Sequence, residues 1–333
     1  LPKGDALDAA RAFVGYVPAA MTRPSVAPVG FRRLAWGVLG YTVLVILWGA
    51  FVRASGSGAG CGDHWPLCNG EVVPTSPTFN TAVEFGHRVT SALAGLAALV
   101  LAWAAFRATP RGSPVRKAAL WSLFFMVTEG AIGAALVLFE FVAYNPSIGR
   151  AYWMAAHLAN TFLLLGALTL TAWWAEGGSV PRLRADRRTA WVGAALVATL
   201  ILGAGGAVTA LGDTLVVGGG LDPETDPVVG ALVAARVFHP TMAFVALGVL
   251  AGAVVASRPA GPRVTQMGMA VLGLFVAQMG LGALNVWLMA PIWMQIVHLL
   301  VTDVIWVGLV VFAAEALAAP VAEPAEAAVP VGT

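Results

Sequence analysis

The sequence predicts an all-α polytopic membrane protein of eight transmembrane helices, and three observations predict it. Of its 333 residues, 59% are hydrophobic and only 11% charged, and the mean hydropathy is +0.82, a composition that excludes an ordinary water-soluble domain. The apolar residues gather in runs of about twenty, the length that crosses a hydrocarbon core as a helix. The connections between those runs alternate in charge. Lipid offers no hydrogen-bond partner to open backbone, so each run must be helical. The net charge of +2 says little; the placement of the arginines says more.

The first span covers 34–53, preceded by Arg32 and Arg33. A loop, 54–81, carries Asp63, Glu71 and both cysteines. The second span, 82–106, runs into Arg107, Arg111, Arg116 and Lys117, and the third, 117–139, stops before Glu140. After the loop 140–150 comes the fourth span, 151–175, followed by Arg182, Arg184, Arg187 and Arg188. The fifth, 189–211, leads to the acidic stretch 212–229 with Asp213, Asp222, Glu224 and Asp226. The sixth, 230–256, is followed by Arg258 and Arg263, the seventh covers 265–289, and the eighth, 292–316, follows a two-residue connection, 290–291. The positive-inside rule then makes this a multi-pass protein of the cell (inner) membrane, with both termini cytoplasmic and loops 54–81, 140–150, 212–229 and 290–291 outside. Residues 1–30 read as a poorly ordered extension without an apolar core of signal-peptide length, and Met21 offers an alternative start. Residues 177–188 read as a cytoplasmic linker and 319–333 as a disordered tail rich in Ala, Pro, Val and Glu.

The second half of the chain echoes the first. TEGAIGAAL (128–136) aligns with AQMGLGALN (277–285), registering Glu129 with Gln278 and Gly133 with Gly282. GHRVTSALAGLAAL registers His87 with His239 in FHPTMAFVALGVLA, and YWMAAHLANTFLLLGAL registers His157 with His298 in IWMQIVHLLVTDVIWVGL. The pattern is a parallel repeat of two pseudo-symmetric four-helix units, 31–176 and 189–318.

Of the five histidines, four fall singly in the second, fourth, sixth and eighth spans, each within ten residues of the outward end. A lone membrane histidine is usually an interhelical hydrogen-bond donor. Four at one depth suit a different task, since two imidazoles on neighbouring helices fill both axial positions of a haem iron and a four-helix bundle can hold the ring between them. Zinc is the rival, but it favours a compact set with Cys, Asp or Glu, which the spans do not offer. Four histidines allow three pairings, and the repeat favours His87 with His157 and His239 with His298. Cys61 and Cys68, the whole cysteine complement, lie in GSGAGCGDHWPLCNG, spaced for a short disulfide that is either a static staple or a redox-active pair. His64 between them reads as a solvated loop residue.

Several of these segments carry a family resemblance. WGAFVRASGSG, CGDHWPLCNG, EFGHRVTSALAG, AHLAN, FHP and MQIVHLLVTD together resemble the haem A synthase family, from about Phe31 to Ala316. The resemblance implies two pseudo-symmetric four-helix bundles and oxidation of the C8 methyl of haem O to a formyl group, giving the haem A of terminal oxidases. It implies a resident haem B at His239 and His298 and the haem O substrate at His87 and His157. Glu84, the acid before the first histidine, becomes important for turnover. Gly86 replaces a larger apolar residue of the family pattern, and the cysteine loop, with His64, is longer. Haem O synthase (protohaem farnesyltransferase) is an implied partner, with an electron acceptor or donor and a homo-oligomer as further expectations and no role for nucleic acid.

The residues accommodate that chemistry. Glu84 and His87 are three apart on one helix face, so the carboxylate stands over the ring that His87 binds. Arg88, Arg150 and Arg236 are candidates to pair with haem propionates, against simple interfacial snorkelling. Glu129 and Gln278 read as a proton relay or as packing glue, and Asn160, Asn285 and Asp303 likewise. Gly95, Gly130, Gly133, Gly166, Gly280 and Gly282 read as permitting close approach of helices and a flat macrocycle. A dihaem cytochrome b type electron carrier shares the helices and ligands but needs neither Glu84 nor the cysteine loop. A transporter built on parallel repeats leaves the matched histidines unexplained.

Overall fold

A computed structural model describes residues 26–318. The expected tail, 319–333, and most of the expected N-terminal extension lie outside the described residues. Helices α1 (Val29–Ala54), α2 (Phe79–Ala108), α3 (Pro114–Leu138), α4 (Ile148–Ala175) and α5 (Arg187–Asp213) are followed by a short α6 (Pro227–Ala234), then α7 (Phe238–Ser257), α8 (Pro262–Trp287) and α9 (Ile292–Ala318). A single 3-10 turn, Ala235–Val237, joins α6 to α7, so among the described residues eight helical segments are long and apolar enough to cross a membrane. The protein is an all-α integral membrane protein, as the apolar runs predict.

Helices α2 to α6 begin a few residues before the apolar windows, and the reason is capping. Thr78 Oγ1 accepts from the Thr81 N–H at 3.2 Å, Ser113 Oγ from Val115 at 3.3 Å and Ser147 Oγ from Arg150 at 3.2 Å. Asp186 accepts from Thr189 at 2.8 Å and Asp226 from Val228 at 2.8 Å. Polar caps satisfy the orphan N–H groups of a first turn, and hydropathy windows do not register them. The Thr189 N–H holds the Asp186 carboxyl below the usual carboxylate range. At the start of the chain the difference is larger. Helix α1 begins at Val29, inside the segment expected to lack order, and Ala27 N–H donates to Ala175 O at 2.9 Å.

Helices α1 to α4 pack in a ring, each against the next and α4 against α1; α5, α7, α8 and α9 form a second ring in the same way. The rings meet where α4 lies against α5 and α9, and α1 against α9. Packing is inside-out relative to a soluble bundle. Along α2, Leu93, Leu96, Val100 and Trp103 are exposed at helical spacing, while Ala94, Ala98, Ala102 and Ala105 are buried. Lipid supplies no hydrophobic drive between helices, so small residues let backbones close while large ones face the acyl chains. Helix α4 carries the seam between the rings. Phe162, fully buried, stacks on Trp306 of α9 with ring centroids 5.0 Å apart, and Trp306 Nε1–H donates to Phe162 O at 2.6 Å. Such a pair contributes about 0.5–1.5 kcal/mol beyond its buried area. Arg32 closes the basic end of the first ring on Glu176 at 2.5 Å.

Candidate functional site

Each of the four helix histidines projects from a different helix: His87 from α2, His157 from α4, His239 from α7 and His298 from α9. His87 and His157, both of the first ring, are close enough to interact electrostatically, and so are His239 and His298 of the second. In all four the Nδ1 atom is buried with no hydrogen-bond partner among the described residues. Space for three of the rings comes from glycine. A Cβ on Gly49 of α1 would stand 2.9 Å from His87 Cε1, one on Gly206 of α5 would stand 3.0 Å from His239 Cε1, and one on Gly282 of α8 would stand 3.2 Å from His298 Cε1. Among the described residues no three His, Cys, Asp or Glu side chains gather to hold a metal ion. A paired-imidazole site needs no such group, whereas a zinc centre does. Half-buried imidazoles, two in each ring, with Nδ1 free of a hydrogen-bond partner among the described residues, are of the kind that fill the axial positions of haem.

Of the glycines read as sites of close approach, Gly166 meets Trp306 Nε1 at 3.6 Å and Gly282 meets His298. Gly95, Gly130, Gly133 and Gly280 have nothing within 4 Å of a Cβ position, so no helix approaches them closely. The expectation of tight helix contact is corrected at those four. Gly49 and Gly206 were not singled out by sequence, because a glycine in an apolar run shows its purpose only once the facing helix is known.

Cys61 and Cys68 form a disulfide, and both are fully buried. Around it the chain turns back on itself: Cys68 and Glu71 exchange backbone hydrogen bonds at 2.9 and 3.0 Å, and Asn69 N–H donates to Cys61 O at 3.0 Å. Asn69, Gly62 and Gly70 take positive φ, of 52°, 66° and 81°. His64 is half exposed beside Asp63, as a solvated loop residue should be. Mass spectrometry of non-reduced digests should recover the two cysteine peptides linked, and free thiols in protein isolated without reductant would refute the bridge. Serine at both positions should lower stability by roughly 2–3 kcal/mol, the chain-entropy value for so short a loop.

Glu84 clamps this loop to α2. It is buried; Oε2 accepts from the Cys61 N–H at 2.8 Å and Oε1 from Arg88 Nη2 at 2.6 Å. Arg88 Nη1 donates in turn to the carbonyls of His64 at 2.7 Å and Leu67 at 2.6 Å. The Arg88 guanidinium, expected to meet a propionate, is thus engaged with Glu84 and the loop. Arg150 is buried, with Nη1 donating to Asn145 O at 3.2 Å and Nε unpartnered among the described residues. Arg236 stands 2.7 Å from Asp213 Oδ1. Sequence reading passed over Arg53. From the end of α1 it reaches across the seam, donating to Ala210 O at 2.9 Å, Thr214 Oγ1 at 2.6 Å and Gln295 Oε1 at 2.8 Å. It interacts electrostatically with Arg150 and Asp213, so three guanidiniums and one carboxylate gather between the rings at the end of the bundle that carries the cysteine loop. An arginine ending an apolar run was the available signal.

Glu129 and Gln278 occupy comparable positions in α3 and α8. Glu129 accepts from Asn160 Nδ2 at 2.6 Å and from Thr161 Oγ1; Gln278 Nε2 donates to His298 O at 2.7 Å and Thr302 Oγ1 at 2.6 Å. Asn160 bridges Thr128 Oγ1, Phe125 O and Glu129 across α3 and α4. Asn285 Oδ1 and both Asp303 carboxylate oxygens are buried without a hydrogen-bond partner among the described residues.

Residues 32–310 match the profile of the COX15-CtaA family, described as cytochrome oxidase assembly protein. The chain is 50% identical over 294 residues to a Thermus thermophilus protein named protohaem IX farnesyltransferase, covering 85% of this chain and 48% of that one. It is 48% identical over 97 residues to a haem A synthase of Symbiobacterium thermophilum, covering 29% and 31% of the two chains. A haem A synthase of Geobacillus kaustophilus is 41% identical over 110 residues, covering 32% and 35%. The chain therefore spans about half the length of the Thermus relatives it matches.

Proposed function

The chain belongs to the cytochrome oxidase assembly protein family, and from that premise we propose that it is a haem A synthase, an oxidoreductase that converts the C8 methyl of haem O to a formyl group. The observation that carries the reading is the placement of two histidines in each helix ring, each with a buried Nδ1 that has no hydrogen-bond partner among the described residues. His239 and His298 would hold a resident haem B and His87 and His157 the substrate, the two rings acting as pseudo-symmetric units. Turning a methyl into a formyl group consumes one water and releases four electrons and four protons. A haem held by His239 and His298 would pass these electrons, one at a time, to an external electron acceptor. The protein's own residues do the rest. The histidines fix the planes of the macrocycles, Glu84 lies one helical turn before His87 where a proton can be taken up, and Arg150 and Arg236, joined by Arg53, offer cationic partners to carboxylates. The buried disulfide acts as a staple that seats Glu84. It lies on the outer face, where bridges persist, with both termini on the basic, cytoplasmic side.

The Thermus proteins are named for prenyl transfer, and this chain matches less than half of either. A prenyltransferase takes the role of the partner supplying haem O. Acid extraction and chromatography of haems from membranes containing this protein and haem O test the function. Formyl haem should appear. Unchanged haem O beside haem B alone would overturn the reading in favour of an electron carrier.

A further inference from the structure

One of the four helix histidines has a neighbour that the others lack. Glu129 Oε1 stands 3.6 Å from His157 Nδ1, and among the described residues no other helix histidine has a carboxylate oxygen within 4.0 Å. The carboxylate is held firmly. Oε2 accepts from Asn160 Nδ2 at 2.6 Å, Oε1 accepts from Thr161 Oγ1, and Asn160 is itself fixed by Thr128 Oγ1 at 2.7 Å and by Phe125 O at 2.9 Å. In the second ring the register-equivalent residue is an amide. Gln278 turns its NH2 to His298 O and Thr302 Oγ1, and its own Oε1 is buried without a hydrogen-bond partner. The sequence repeat therefore preserves the hydroxyl contact and changes the charge.

We propose that Glu129 is a positioning residue for the first-ring haem: it accepts the Nδ1–H of His157, turns Nε2 toward the iron, and gives that iron a more electron-donating axial ligand than its counterpart in the second ring. The proposal rests on the haem-binding reading above. At 3.6 Å the two atoms are outside hydrogen-bond range, and a modest rotation of the imidazole about its Cβ–Cγ bond closes the gap. A metal-bound histidine commonly donates its second ring N–H to a carboxylate, which fixes the tautomer and raises ligand basicity. A charged acceptor draws that proton more strongly than an amide oxygen. A haem held there would have its ferric state favoured, which would bias electron transfer from the first ring toward the second.

E129Q is nearly isosteric and tests the charge. In protein carrying haem in both rings, potentiometric titration followed optically should show the first-ring haem easier to reduce by about tenfold, or 59 mV for a one-electron couple, with the second-ring haem unmoved. Both potentials unchanged in E129Q would overturn the proposal. If E129Q binds no haem in the first ring, E129D and E129A decide. Binding restored by the aspartate alone supports a charged acceptor, and equal restoration by alanine overturns it. Failure of the underlying reading looks different, because His157→Leu would then leave the spectrum of haem-loaded protein unchanged whatever residue 129 is.

Discussion

Replacing His298 or His239 with leucine should strip the second ring of the low-spin haem proposed to reside there. On the proposed assignment each variant removes one of two axial imidazoles, and the loss in affinity should exceed the roughly 10–100-fold that the removal of an outer-shell partner alone costs. Leucine is apolar and of similar bulk, and the facing Gly282 and Gly206 leave it room without a clash of backbone, so the helices should still pack. The measurement is the haem-to-protein ratio of purified protein, with optical and spin-resonance spectra. Unchanged spectra in both variants would end the assignment of a resident haem to this pair. His87→Leu and His157→Leu should change the spectrum less in protein purified without haem O, since a substrate site is filled only when substrate is present.

The eight spans and the histidines were legible in the sequence for one reason: in an apolar run a rare polar residue is visible singly, and four at matched depths are visible as a set. What depended on neighbouring helices was not legible. Gly49 and Gly206 make room for imidazoles on helices distant in sequence, and only the packing of α1 on α2 and α5 on α7 reveals them. Arg53 looked like a span-ending residue and instead ties α1 to α5 and α9. Arg88 looked available to an anion, yet a residue four positions earlier and two loop carbonyls occupy its donors. Caps explain the earlier starts of α2 to α6, as at Thr78, because hydropathy discounts the polar side chains that start helices.

Glu84→Gln should leave the His239 and His298 haem intact while haem O, or its hydroxylated product, accumulates in place of haem A. The glutamate is not a helix-end charge. Helix α2 starts at Phe79 and has no acid in its first turn, and the macrodipole acts only over that turn. Two roles remain for one side chain. The structure shows the carboxylate seating the cysteine loop through the Cys61 N–H and Arg88, and the proposed function adds proton handling at the edge of a macrocycle bound by His87. An amide in its place can accept one of those bonds but turns a donor toward the other. A buried ion pair broken on one side costs about 3–5 kcal/mol, so a single substitution perturbs the loop as well as the proton. Removing both partners separates the roles. Glu84→Gln with Arg88→Met leaves no orphaned guanidinium, and the loop should regain protection from proteolysis. If the carboxylate acts on the substrate, haem A formation should stay depressed by about 10²–10⁴-fold in that double variant, the usual worth of a positioned acid or base. Recovery of wild-type haem A yield alongside the recovered loop would show that Glu84 does no more than hold the loop in place.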